Sequence, residues 1–484
     1  MRRGFSQLRL VAPPAPRHRF ELSRVLCLGL ALAAVGILGS GAPVWGQEAL
    51  RLQHPPPTSV EESQVPTDLT FKKPVEKPPP PNTLKETLKE QLKDLPPVIR
   101  DATLEVKPRS YYLYRRNYDS CKNEAWALGG ALEFKSGYLL DHFAVGAAGY
   151  TADHLYAPPG RPGTLLLKPP QKNINVLGQV YGEIKLNDQV VIDLFRKAYD
   201  TPYINQHDNR MVPNTFEAYT TMATIGGKDG APEFRCGGGY FTRMKGRDST
   251  QFVPMSVAAG VNNRDRGVAV GGAIYKTKEF SVAALNYYSP DIINIFYTEG
   301  KYTLPHKSGL GFQLAAQFTD QENTGNNLLY GRPFSTRQVG LRGNLSYQGA
   351  MLTLAYTNNA IGGADMFESW GSYPGYTSVQ YSDFNHAGEQ AFMLQGTYNF
   401  KHLGLTGVTF YALWVHGWNW VNPTTRQMVP QENEFNLDLQ WKPKLTSLAG
   451  LWFRLCYSHN WQWQGGNQTV DELRLIVNYH FSVL

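Results

Sequence analysis

The chain has 484 residues, of which 42% are hydrophobic, 12% aromatic and 18% charged, with 46 Gly, 32 Pro and 4 Cys, and its mean hydropathy is −0.36. This composition excludes a bundle of membrane-spanning helices and a small disulfide-stapled scaffold. It leaves room for a membrane barrel, whose lipid-facing apolar and lumen-facing polar residues average to a soluble-looking hydropathy.

The formal charge of +7 is local, because residues 1–46 hold six Arg and one acid and the remainder carries 41 basic against 39 acidic residues. That excess is too small to hold a polyanion, so nucleic acid is not an expected partner. Within the basic start, residues 25–38 form an uncharged apolar core, and Ala42-Pro43-Val44-Trp45-Gly46 offers small residues for cleavage before Gln47. We read residues 1–46 as a secretory signal peptide. The apolar core has 14 residues, short of the roughly 20 that a spanning helix needs. Cys27 leaves with the signal, and Cys121, Cys236 and Cys456 remain with their pairing undetermined.

Residues 47–101 form a Pro-rich extension, with Pro55-Pro56-Pro57 and Pro78-Pro79-Pro80-Pro81, which favours polyproline II and cannot build a core. Inside it, Thr83-Leu84-Lys85-Glu86 fits a capping box. Leu84, Leu88, Leu92 and Leu95 then recur at helical spacing, and Pro96-Pro97 end the helix. A short helix in a tether is the plain reading, and a helix that docks on a rim or self-associates is the alternative.

From about Thr103 to the end, period two dominates. Trp126, Leu128, Leu132 and Phe134 oppose Ala125, Ala127, Ala131 and Glu133. Leu310, Phe312, Leu314 and Phe318 oppose Gly311, Gln313 and Gln317; Val339, Leu341 and Leu345 oppose Gln338, Arg342 and Asn344. Phe435, Leu437, Leu439 and Trp441 oppose Asn436, Asp438 and Gln440, and Leu473, Leu475 and Val477 oppose Glu472, Arg474 and Asn478, with Ile476 interrupting the polar face. This alternation marks half-buried strands. Segments of about ten residues suit a tilted membrane strand. Trp414, Trp418, Trp420, Trp461 and Trp463 suit interfacial belts at segment ends. The chain stops on a strand, which can pair with the first and leave no edge. The expected fold is therefore all-β: a transmembrane antiparallel β-barrel over residues 102–484, of roughly 16 to 20 strands, wide enough for an aqueous channel.

Several stretches resemble the OprD family of outer-membrane, substrate-selective porins. They are Arg109-Ser110-Tyr111-Tyr112 with Glu124-Ala125-Trp126-Ala127, Ser136-Gly137-Tyr138, and Asp200-Thr201-Pro202. The most specific is Asp208-Asn209-Arg210-Met211-Val212-Pro213-Asn214-Thr215-Phe216, and Trp370–Tyr376 with Gly388-Glu389 adds another. The resemblance implies about 18 strands, an inward-folded loop, a lumenal arginine ladder and diffusion of small, often carboxylate-bearing solutes. The Pro-rich extension departs from the family pattern.

A selective pore needs fixed cations on its wall opposite acids on a constricting loop, and Arg suits a carboxylate because its fork bonds bidentately. The pore-lining candidates are Arg109, Arg115, Arg196, Arg342, Arg454 and Arg474, with Asp291 and Glu299 as acids beside the strand-like run 292–298. Tyr111 and Leu113 share the parity of Arg109 and Arg115 and obscure which way that face points. Asp208, Arg210, Pro213 and Phe216 are expected to brace the inward loop through a local ion pair and a fixed turn. No metal-spacing cluster, HExxH, GxSxG or Walker loop occurs. His416 and His480 fall on strands as lumenal or interfacial polar residues, so no cofactor or catalysis is expected. The expected function is passive diffusion of small hydrophilic solutes across the bacterial outer membrane, favouring carboxylate-bearing ones such as amino acids or organic acids. The alternative is a structural or adhesive barrel whose residues 47–101 contact periplasmic partners. The expected partners are the lipid bilayer and the solutes; a homo-oligomer is left open.

Overall fold

The computed structural model describes residues 83–484 apart from 308, 361–363, 422–426, 446–447 and 464–466. The signal segment and residues 47–82 lie outside the described residues. Two short helices come first, α1 (Thr83–Leu92) and α2 (Pro97–Arg100). Pro96-Pro97 separates them as expected, and Pro97 opens α2 at the first helical position, where its missing N–H costs nothing. Both sit against the barrel rim: Lys85 Nζ donates to Ser482 Oγ at 2.8 Å and Gly137 N–H donates to Val98 O at 3.0 Å.

The strands follow. They are β1 (Thr103–Arg116), β2 (Lys122–Lys135), β3 (Phe143–Tyr156), β4 (Ile174–Lys185), β5 (Val190–Lys197), β6 (Thr215–Gly226) and β7 (Glu233–Lys245). A two-residue piece β8 (Val253–Pro254) and the one-turn α3 (Met255–Ala258) precede β9 (Val268–Lys276), β10 (Phe280–Ser289), β11 (Ile293–Lys307), β12 (Leu310–Asn323) and β13 (Ser335–Tyr347). Then come β14 (Ala350–Asn359), β15 (Gln390–Asn399), β16 (Val408–Val421), β17 (Met428–Trp441), β18 (Leu451–Trp463), β19 (Asn467–Tyr479) and the two-residue β20 (Phe481–Ser482).

The eighteen long strands pair antiparallel in chain order, β9 following directly on β7 through Phe241↔Val268. Closure comes from β1 against β19, with Arg109↔Asn478 through Arg116↔Asp471 in register, continued by Val106↔Phe481 of β20. No long strand is left with an open edge, which a bilayer requires because hydrocarbon offers nothing to an unpaired N–H.

The start of β1, the end of β19 and the tight turns share one end of the barrel. The two-residue turn Gln348-Gly349 holds both residues at positive φ (45° and 86°), the conformation that matches strand twist and that Gly349 adopts without a Cβ penalty. The longer connections gather at the other end: 157–173 (L2), 198–214 (L3), 246–267 (L4) and 360–389 (L7). In outer-membrane barrels the short turns face the periplasm and the long loops face outward.

The alternation read from the sequence maps onto two faces. Leu128, Leu132, Leu314, Leu341, Leu354, Leu394 and Leu475 are exposed on the outside, whereas Gln317, Gln338, Asn344, Asn436 and Glu472 are buried within. Phe134, Phe143, Tyr347 and Trp441 ring the turn end, with Tyr156 and Trp463 at the loop end. Trp414 departs from the expected bracket: it stands mid-strand on β16, its ring near-parallel to His416, which in turn stacks on Trp418 at 5.4 Å.

The apolar core lies inside the barrel, where loops seat on the wall. Tyr203 of L3, Met255 of α3 and Trp370 and Tyr373 of L7 pack with Phe216, Phe241, Tyr287 and Tyr297 from the strands. Met211 and Val212 of L3 and Leu166 of L2 cover Tyr111, Leu113, Ala125, Ala127 and Ile476. Tyr376, Val379 and Phe384 of L7 lie on Ala355, Ala391, Met393, Leu413 and Val415. Apolar residues on the wet face thus mark loop seats. This explains both the alanines of β2 and the interruption at Ile476, because small or apolar inner positions admit a second layer of chain.

Candidate functional site

Inside the barrel L3 is bonded to β1, and L7 to β17 and β19. Arg109 and Arg115 point inward from β1, together with Tyr111 and Leu113. Two guanidinium nitrogens of Arg109 bond the two oxygens of Asp208 on L3 at 2.6 and 3.0 Å, while its Nε donates to Asn478 Oδ1 at 2.7 Å. The side chains of Arg109 and Asp208 stay 17% and 43% exposed, so a passing solute can reach them. Arg115 Nε donates to Glu472 Oε2 at 2.5 Å, and its guanidinium lies 5.3 Å from the ring centre of Tyr381 on L7. Arg474 donates from Nε to Glu472 Oε1 at 2.6 Å and from Nη2 to the Gln380 carbonyl at 2.9 Å. Arg210 adds its field to the same carboxylate. Three cations therefore converge on Glu472, a local excess of positive charge that burial makes strongly felt. One step along the wall, Arg454 Nε bonds Asp438 Oδ2 at 2.5 Å, and Cys456 Sγ donates to the same oxygen at 3.1 Å.

The side chains of Arg474 and Arg454 are only 1% and 3% exposed, and the Gln380 carbonyl of L7 lies on the first of them. Arg342 faces inward from β13, stacked 4.2 Å from the ring centre of Tyr376. Tyr376 Oη donates to Glu299 Oε1 of β11 at 2.6 Å, and Lys301 pairs with Glu299 at 3.3 Å. Two expected pore-lining residues lie elsewhere. Arg196 shares the outer face with Glu217, to which it is paired at 2.6 Å, and lies against Phe252 of L4 at 4.1 Å. Its neighbours Lys197 and Phe216 take the inner face, so parity turns Arg196 outward. Asp291 sits in the turn after β10 at φ 65°, pairs with Arg266 of L4 at 3.1 Å and accepts from Asn326 N–H, and so braces the loop end instead of supplying an acid to the wall.

The bracing of L3 also differs from expectation. Asp208 is taken by Arg109 of the wall, in place of the expected local pair with Arg210. The buried Arg210 donates to the Thr164 carbonyl of L2 at 3.0 Å and the Asn209 carbonyl at 2.7 Å. The Pro213 carbonyl accepts from the buried ammonium of Lys245, at the end of β7, at 2.7 Å; Lys245 also reaches the Gly246 carbonyl at 2.9 Å. Phe216 is fully buried and packs edge-on against Tyr199 and Phe241.

Sequence reasoning missed Lys245 and Arg247, which reaches Asn209 Oδ1 of L3, and missed L7 as a lumenal element. Glu434 of β17 anchors L7 by accepting the consecutive N–H groups of Tyr381 and Ser382, both at 2.8 Å. A signal was available: Trp370, Tyr373, Tyr376, Tyr381 and Phe384 fall within fifteen residues of a connection between strands, an aromatic load that a solvated loop does not carry. Cys121 (exposed) and Cys456 (buried) are free thiols. His416 lies on the outer face, bonded to Asn433 at 2.8 Å.

A closed barrel with an apolar outer wall and a polar, loop-narrowed lumen is a transmembrane diffusion channel. The family model described as outer membrane porin, OprD family, matches residues 98–483, and the chain belongs to that family. Among curated relatives, the porin-like protein GalP of Pseudomonas putida is 24% identical over 413 residues, spanning 80% of this chain and 93% of the relative. Porin D of Pseudomonas aeruginosa is 23% identical over 425 residues, 80% of this chain and 92% of that protein. Among solved structures, Acinetobacter baumannii OccAB3 superposes with a TM-score of 0.71 at 20% identity, covering 79% of this chain and all of that one. Pseudomonas aeruginosa OpdK with vanillate gives 0.67 at 19% identity, covering 80% and 100%. The protein is thus an outer-membrane porin for small solutes, a channel rather than an enzyme.

Proposed function

We propose that the channel passes small hydrophilic solutes by diffusion with a preference for carboxylate-bearing ones, such as amino acids or organic acids. The observation that carries this reading is the solvent-accessible Arg109–Asp208 pair where L3 meets the wall, backed by Arg115, Arg210 and Arg474 around the single carboxylate of Glu472. A cation facing a loop acid orients a zwitterion, and the surplus guanidinium charge replaces part of a carboxylate's lost hydration. The solved relative named with vanillate supports the carboxylate class. Liposomes carrying the purified protein should swell faster in an amino acid or organic acid than in a neutral sugar of equal size. Arg109→Ala should reduce carboxylate entry more than sugar entry, and equal loss of both rejects the preference.

Residues ahead of 98 lie outside the family match. We assign 1–46 to a cleaved signal, which N-terminal sequencing of the mature protein at Gln47 checks, and 47–101 to a contact in the periplasm. Deleting 47–82 should leave solute entry unchanged; loss of envelope integrity in that variant would make the extension the seat of a second, structural role.

A further inference from the structure

The two inward loops are anchored independently. L3 hangs from Arg109 and Lys245 of the wall and from Arg247 at the start of L4. L7 hangs from Glu434, Arg474 and Glu299 on other strands. They meet at Asn205. Its Oδ1 accepts from the Ser372 N–H at 2.8 Å and from Ser372 Oγ at 3.1 Å, and its Nδ2 donates to the Ser372 carbonyl at 3.1 Å. The same amide closes the turn of L3 by donating to the carbonyls of Thr201 and Pro202 and accepting the His207 N–H at 3.1 Å. One side chain thus satisfies backbone groups on both loops, using the donor and the acceptor end of its carboxamide together.

The fit leaves no room beside it: a Cβ on Gly371 would stand 2.7 Å from the Asn205 carboxamide. Tyr203 and Tyr373 meet edge-to-face at 6.2 Å next to the joint, and Trp370 Nε1 ties L7 to the Met255 carbonyl of L4 at 2.9 Å.

We propose that Asn205 is a positioning residue of the channel: its carboxamide clasps L7 to L3 and fixes the gap through which solutes pass. The proposal rests on the porin reading but concerns a contact between two loops and no solute-binding group. Loops joined at a point fluctuate together. Severed there, each moves on its own tether, and the gap between them varies on the timescale of loop motion.

Single-channel recording of the protein in planar bilayers tests this. Wild type should give steady open current. Asn205→Ala, and separately Gly371→Ala, should give roughly tenfold more frequent current fluctuations, the factor that 1.4 kcal/mol carries, with a weakened ion selectivity measured from the reversal potential. The decisive variant is Asn205→Cys with Ser372→Cys in a Cys121→Ser background. Oxidation should restore steady, selective current, and reduction should return the noise of Asn205→Ala, a reversal that a merely structural role would not produce. Steady, selective current in both single variants, or no difference between oxidised and reduced double variant, overturns the clasp. A wild-type protein that inserts and conducts nothing instead overturns the porin reading.

Discussion

Lys245 is the residue whose role is least visible from its type. Lysine is rarely fully buried, yet this ammonium is enclosed and spends its hydrogens on the carbonyls of Pro213 and Gly246. The ammonium holds the returning leg of L3 on β7. Lys245→Met should fill the space and take the ammonium from the Pro213 carbonyl, at about 1–3 kcal/mol, while the Gly246 carbonyl keeps the Ser249 N–H. We expect a folded channel whose L3 is cleaved faster by added protease and whose mean conductance rises; unchanged cleavage and conductance would show that L3 is held without it. At this scale the sequence was partly legible. The inward parity of Arg109 and Arg115 followed from alternation once Tyr111 and Leu113 were recognised as a seat for Met211 and Val212. Arg196 and Asp291 were not legible. A positive φ at Phe195 (80°) and a register shift at Glu217/Ala218 break regular pairing beside Arg196, and Asp291 sits in a three-residue turn whose partner, Arg266, comes from a different loop.

Among the elements, L7 has the most electrostatic tension. His386 stacks on Trp420 at 4.0 Å and pairs with Asp365 at 3.2 Å, and its backbone N–H donates to Glu389. Burial pushes the Glu389 carboxyl up to about 8. For His386 burial alone would lower the value, but Asp365 more than offsets it and holds the imidazole at about 9. Glu368, buried near Asp365, Asp383 and Arg247, is raised to about 7. Each value is above that of the free side chain, so the packed loop binds more protons than the released loop at neutral pH. The resulting stability is complete below the ordinary values, declines as pH rises above them and is gone once pH has passed the raised values of about 7 to 9. Protease cleavage within 364–389 should therefore accelerate as pH rises from about 4.5 to about 9, and Glu389→Gln should flatten the part below about 8. A cleavage rate independent of pH would mean that these groups do not hold the loop. The strands were legible at this scale because period two is a local signal. L7 was not, because its partners Glu434, Glu299 and Arg474 lie 53 to 94 residues away along the chain from Tyr381, Tyr376 and Gln380, and only the closed wall brings them together.

At the scale of the whole molecule, the fold depends on where water is. The outer leucines and the inner Gln–Asn–Thr ladder face opposite solvents across one backbone layer, so a charge should be costly or cheap according to parity and depth. Leu341 stands near the middle of β13 on the outer face and is 54% exposed, whereas Ser346 of the same strand faces the lumen. Leu341→Arg places a guanidinium in hydrocarbon near the bilayer midplane and should destabilise the barrel by about 2–4 kcal/mol. Ser346→Arg meets lumenal water, where an added surface charge typically changes stability by no more than about 0.5 kcal/mol. Denaturant unfolding of the two variants in lipid vesicles, followed by tryptophan fluorescence, measures the difference. Equal costs would remove the ground for placing lipid on one face and water on the other. A large cost at Leu341 alone follows from the two-sided wall together with depth, because Leu341 is mid-strand on the lipid face and Ser346 faces the lumen one residue from the end of β13.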